Sequence, residues 1–200
     1  MRITKLCVGM PTLGSVRSET MYCVITSLFH TVAKTGCGIH LIFPAGGMCD
    51  DARRKCAQEA LDIGASHLMF IDSDMVFPDN GIVTLASRDK QVIGANYNMR
   101  MKAGFSTVKM DDGQGNIVPM AGNLLPNTLF KCYAIATGFM LIETAVFRKI
   151  TKPWFSYSYD EEGDYTRGED VYFCEKVRGK GIEVWCDPTI RVGHIGEYVY

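Results

Sequence analysis

Short apolar runs, separated by amphipathic stretches, set the rhythm of this chain. Lys5 to Met10 reads as a first strand, closed by Pro11-Thr12-Leu13-Gly14, after which Met21, Val24, Ile25 and Leu28 recur at helical spacing. Ile39 to Phe43 predicts a second strand and Pro44-Ala45-Gly46-Gly47 a loop. Asp50 or Asp51 is then placed to cap a helix whose buried stripe is Cys56, Ala57, Ala60 and Leu61. Gly64 ends that helix. Leu68-Met69-Phe70-Ile71 is apolar at consecutive positions, the pattern of a parallel strand buried on both faces. A short helix is expected after Pro78, and Gln91 to Tyr97 predicts a fourth strand. The first half thus reads as a βαβαβαβ wrap of α/β class.

From Asn98 to Asn127 the pattern breaks into Gly, Asn, Asp and Met, with a hairpin expected where Phe105 to Met110 and Ile117 to Met120 flank Asp111-Asp112-Gly113-Gln114-Gly115-Asn116. This stretch reads as an insertion over the sheet edge. Regularity returns with a strand at Leu129 to Ala136, a helix around Glu143 to Lys149 and an aromatic loop, Pro153-Trp154-Phe155-Ser156-Tyr157-Ser158-Tyr159. Gly168-Glu169-Asp170 opens a helix with Val171, Cys174 and Val177 on one face. Ile182 to Cys186 predicts a strand, and Ile190 to Gly196 a terminal loop. No repeat, low-complexity tract or interdomain linker appears, so residues 1–200 are expected to form one domain.

Composition narrows the class. Two hundred residues, 47% of them apolar, suffice for one core. A formal charge of −1 with interspersed signs lacks the footprint of a general nucleic-acid or membrane-surface binder. The apolar runs are too short for a membrane span, and Met1-Arg2-Ile3-Thr4-Lys5 lacks a signal-peptide layout, so a cytoplasmic protein is expected, in the host cytoplasm if the source is viral. Eight cysteines lie scattered without a Cys-x-x-Cys pair, which reads as buried free thiols.

The candidate chemistry lies at Asp72-Ser73-Asp74. Two carboxylates one residue apart, at the carboxyl end of a buried strand, offer hard oxygen ligands suited to magnesium or manganese and to a diphosphate held by the ion. The same pair could instead make a turn or cap the next helix. Glu169-Asp170 at a helix start likewise complements the helix dipole on structural grounds alone.

Taken in order, Asp72-Ser73-Asp74, Gly168-Glu169-Asp170 and Val192-Gly193-His194 resemble the A-type glycosyltransferase fold, most closely the family-2-like nucleotide-sugar transferases, including small forms of viral or phage type. The likeness is strongest from Ala136-Thr137-Gly138-Phe139-Met140-Leu141-Ile142 through Pro153-Trp154-Phe155, then from Gly168 to His194. It implies a nucleotide-binding, Rossmann-like βαβ sandwich with a mixed central sheet. It further implies Mn2+ or Mg2+ held by Asp72, Asp74 and His194 on the diphosphate of a nucleoside-diphosphate sugar, a UDP-sugar foremost. Asp170 matches the general base toward the acceptor hydroxyl, with the helix end keeping it ionised, and Glu169 would orient the acceptor. Pro11, Thr12 and Ser73 would line the donor nucleotide, with Arg53 or Arg54 beside it. Gly138, Phe139 and Trp154 would meet the sugar or acceptor. The acceptor itself, whether glycan, protein, small molecule or modified nucleic acid, is not encoded in a motif. Inversion is expected, although Arg191-Val192-Gly193-His194 also resembles the metal segment of polypeptide N-acetylgalactosaminyltransferases, which retain configuration.

Two rivals come from other classes. Asp72-Ser73-Asp74-Met75-Val76 fits the nucleophile motif of haloacid-dehalogenase-type phosphatases, but that motif normally ends the first strand of its sheet. A non-catalytic nucleotide-sugar-binding module is the other. A sugar nucleotidyltransferase would need a glycine-rich basic loop that Met10-Pro11-Thr12-Leu13-Gly14 does not supply.

Overall fold

The computed structural model describes residues 3–99 and 105–196. Its first half runs β1 (Lys5–Gly9), α1 (Ser18–Thr35), β2 (Gly38–Ile42), α2 (Cys49–Asp62), β3 (His67–Ile71), β4 (Met75–Val76), α3 (Gly81–Ser87) and β5 (Val92–Gly94). A hairpin of β6 (Phe105–Asp111) and β7 (Ile117–Ala121) leads to β8 (Phe130–Cys132), β9 (Phe139–Glu143) and α4 (Ala145–Lys149). The ribbon β10 (Ser158–Tyr159) and β11 (Tyr165–Arg167), then α5 (Glu169–Arg178), β12 (Val184–Cys186) and β13 (Gly193–His194) complete the order.

Seven strands form one mixed sheet in the order β2-β1-β3-β9-β5-β12-β8. β1 pairs parallel with β2 and β3, and β5 parallel with β12, whereas β9 runs antiparallel between β3 and β5 and β8 antiparallel at the far edge. The architecture is therefore mixed α/β.

Alternation along each strand divides two cores. Cys7, Leu68, Phe70, Val92, Met140 and Ile142 face one cluster with Cys56 and Ala57 of α2, Phe147 of α4 and Phe173 of α5. Leu6, Val8, Met69, Ile71, Ile93, Phe139 and Leu141 face the other, with Val24 of α1 and Leu85 of α3. Both faces of the sheet are thus covered over its central strands, which is why those strands are apolar at consecutive positions. At Gly9 the contact is closest: a Cβ there would lie 2.7 Å from the Cys56 sulfur, so α2 seats directly on the end of β1.

Several expectations are revised. The fourth strand is shorter than Gln91 to Tyr97, and the strand expected over Leu129 to Ala136 joins the central sheet only at Phe130–Cys132. The helix expected around Glu143 begins at Ala145, because Phe139–Glu143 is β9, an apolar run buried on both faces. Neither Asp50 nor Asp51 caps α2. Met48 holds that position without a side-chain bond, and both aspartates lie inside the first turn. The hairpin forms as expected and docks through Lys109 against Ala134 just beyond β8, while residues 100–104 of the expected insertion lie outside the described residues. All eight cysteines are free thiols, six of them buried. No helix among the described residues is long and apolar enough to cross a membrane.

Candidate active site

The parallel strands β1, β2 and β3 end at one rim, where an α/β sheet offers its ligand crevice. Pro11, Thr12, Leu13, Gly46, Gly47, Cys49, Ala52 and Ser73 line a cavity of about 240 Å3 there. Its walls are tied together: the Thr12 N–H donates to the Pro44 carbonyl at 3.1 Å, and the Gly46 N–H to the Thr12 carbonyl at 3.1 Å. Pro11, Thr12 and Ser73 therefore lie together as the resemblance implies, with Gly46, Gly47 and Cys49 as unforeseen neighbours.

Beyond β3 the chain turns sharply, and the two aspartates part company. The Asp72 N–H donates to the Gly138 carbonyl at 3.0 Å, and Asp72 Oδ1 accepts from Arg53 Nη2 at 2.9 Å. Arg53 Nε donates to Glu169 Oε1 at 3.1 Å, so one buried guanidinium of α2 joins the strand end to the start of α5 and lies over the Phe70 ring. Burial alone would lower the Arg53 pKa, but Asp72, Cys49 and Glu169 outweigh it and hold the group well above its ordinary value. Nη1 of Arg53 is buried without a hydrogen-bond partner among the described residues, a donor left over in an otherwise satisfied cluster. Arg53 is thus the inward arginine. Arg54 turns away to Asp50 Oδ2 at 2.6 Å and the Phe155 carbonyl, leaving the nucleotide-side expectation to Arg53 alone.

Asp74 is met by the end of the chain. β13 pairs antiparallel with β4, setting His194 opposite Met75, and the Ile195 N–H donates to the Asp74 carbonyl at 2.8 Å. His194 Nε2 stands 3.3 Å from Asp74 Oδ2, while Nδ1 lies 3.4 Å from the Asn98 carbonyl. With the proton on Nε2 the ring donates to this carboxylate directly, and with it on Nδ1, facing the Asn98 carbonyl, the Nε2 lone pair and Asp74 Oδ2 are placed to share a cation. Neighbouring ligands of an octahedral ion lie roughly 3 Å apart, so Asp74 and His194 fit as two ligands of one ion, with the Asn98 carbonyl orienting the ring. Asp72 does not complete a three-residue set. Among the described residues no group of three or more His, Cys, Asp and Glu side chains is arranged to hold a metal, and Asp72 is engaged with Arg53.

Gly138 is used differently from expectation. A Cβ on it would collide with the Tyr97 hydroxyl and lie 2.8 Å from Asp72 Oδ2, so the space it clears is filled by the protein itself. The Gly138 N–H donates to Tyr97 Oη at 3.0 Å. Burial, then the Asp72 charge, drives the Tyr97 phenol well above its ordinary pKa, keeping it neutral beside that carboxylate. Tyr97 escaped notice in the sequence because it closes an apolar run. Phe139 and Trp154 are also corrected. Phe139 is fully buried against Phe77, and Trp154 is buried with its indole N–H donating to the Phe147 carbonyl at 3.1 Å, so both serve the core.

Asp170 sits in the first turn of α5, where its Oδ1 accepts the Val171 N–H at 2.7 Å. The expected helix-end stabilisation of its charge is overridden. Burial first, and Glu169 second, raise its pKa, with Lys109 and Arg53 only partly opposing them. Beside it Lys109, Asn116, Tyr165, Thr166, Arg167 and Gly168 help to line an open cavity of about 400 Å3 between the β6–β7 hairpin and β11.

No protein-family model and no curated protein matches the chain. Among solved structures it is similar to A197 from STIV, with a TM-score of 0.63 and 17% identity over 97% of this chain and 87% of that one. At that identity the likeness establishes a shared fold.

Proposed function

We propose that the protein is a divalent-metal-dependent glycosyltransferase of A-type fold, moving a sugar from a nucleoside diphosphate, foremost UDP, to an acceptor hydroxyl with inversion. One observation carries the reading: groups from four distant segments, Arg53, Asp72 with Asp74, Glu169 with Asp170, and His194, converge at the carboxyl rim of β1 and β3. Asp74 and His194 would hold Mn2+ or Mg2+, which when bound offsets charge on a departing diphosphate. The cavity at Pro11, Thr12 and Ser73 receives the nucleoside. The buried guanidinium of Arg53 fixes Asp72 and Glu169 and keeps its Nη1 group for the donor. Asp170, with a raised pKa, takes the proton of an acceptor hydroxyl seated in the neighbouring cavity lined by Lys109 and Tyr165.

The phosphatase reading is weaker, since Asp72 is bonded to Arg53 and packed under Gly138 rather than presented as a free nucleophile. Calorimetric titration with a panel of nucleoside diphosphates and their sugars, with manganese and with chelator, tests the proposal. Binding of one nucleotide that needs manganese and disappears in Asp74→Ala is expected. Absence of binding to every member, or binding indifferent to manganese and to Asp74, would sink it.

A further inference from the structure

Along α1 and the outer edge of the sheet, one apolar face carries no cover among the described residues. On α1, Tyr22, Ile25, Phe29 and Val32 are 71%, 47%, 75% and 42% exposed. Ile25, Leu28, Phe29 and Val32 join Ile39 of β2 in lining a groove of about 370 Å3. β2 itself is the edge of the seven-stranded sheet. Its sequence, Gly-Ile-His-Leu-Ile, has no lysine, acid or proline, and its register with β1 is unbroken, so none of the usual guards against edge pairing is present. The Gly38 N–H donates to Thr4 and the Ile42 carbonyl accepts from Met10, which by alternation turns the N–H and C=O groups of Ile39 and Leu41 outward.

We propose that a second copy of this chain covers this face, in a two-fold dimer where β2 pairs antiparallel with β2 of the other copy and the two α1 helices lie side by side. A two-fold axis perpendicular to the sheet reverses strand direction but preserves the faces, so it delivers both features at once. The residues are arranged for that reversal. Ile39 and Leu41 are equidistant from His40, so their outward groups exchange N–H···O bonds reciprocally across the axis. Tyr22 and Val32, and likewise Ile25 and Phe29, are equidistant from Ser27, so reversal sets each ring toward an aliphatic partner. No charge interrupts the stripe, and the helix dipoles oppose. With Leu41 and Phe43, 39% and 41% exposed on the same face, the stripe presents on the order of 700 Å2 per copy, close to the roughly 800 Å2 per partner of a stable interface.

Sedimentation velocity over a range of protein concentrations, paired with hydrogen exchange resolved at β2, tests this. The wild type is expected to be a dimer whose Ile39 and Leu41 amides gain protection as concentration rises. Phe29→Glu should weaken association at least about a hundredfold and remove that protection while circular dichroism is unchanged. Should Phe29→Glu not fold, Tyr22→Glu, at an equally exposed ring, reads the same interface. A wild-type monomer at every concentration, leaving the face to some other partner, overturns the proposal. So does a dimer that tolerates folded glutamate variants and leaves the β2 amides exchanging freely.

Discussion

Asp170 carries opposed demands. A carboxylate whose folded pKa is raised contributes stability below its unfolded value and loses that contribution as pH rises through the folded one, so at neutral pH its ionised form weighs against folding. The same displacement makes it a stronger base. Asp170→Asn keeps an oxygen for the Val171 N–H, so it should melt at the same temperature as wild type or higher at pH 7 while turnover falls about a hundredfold or more. A melt paired with a rate assay separates the two effects. In the wild type, the acid limb of the rate profile should lie above the ordinary aspartate range.

At the level of elements, the parallel half was legible in the sequence and β9 was not. Consecutive apolar positions, a glycine stop at Gly64 and short loops define β1 to β3 and their helices without tertiary information. Phe139–Glu143 offers only a brief apolar run after Thr137-Gly138, which periodicity alone cannot assign, and its place between β3 and β5 follows from packing on both faces. The site divides likewise. Asp72 and Asp74 stand out because they end an apolar strand, Glu169 and Asp170 because they open a helix, and His194 through the resemblance, whereas Tyr97 and the choice of Arg53 over Arg54 depend on which way a side chain turns. Gly9 shows how tightly elements meet. Gly9→Ala should cost about 1–3 kcal/mol, read as a lower denaturant midpoint with unchanged slope, because α2 must lift from β1.

Across the whole molecule, the rim couples segments that are far apart in sequence, so the proposed donor, bound there, would tie the fold together. If UDP and manganese bind only the native state, then at a hundred times their dissociation constant they should stabilise it by about 2.7 kcal/mol. A thermal melt with UDP and manganese should therefore shift upward, chelator should reverse the shift, and His194→Ala should show little of it.

The position of β9 also governs when this protein can become itself. β3 and β5 have no direct pairing and meet only through a strand that leaves the ribosome after the whole hairpin segment, and Asp74 gains its histidine later still. A nascent chain halted before Phe139 would hold β1, β2 and β3 with the β3 edge unsealed as well as that of β2, a surface open to wrong partners. Synthesis therefore leaves β3 unsealed until β9 emerges, and Asp74 meets His194 only when the segment that carries the histidine folds back.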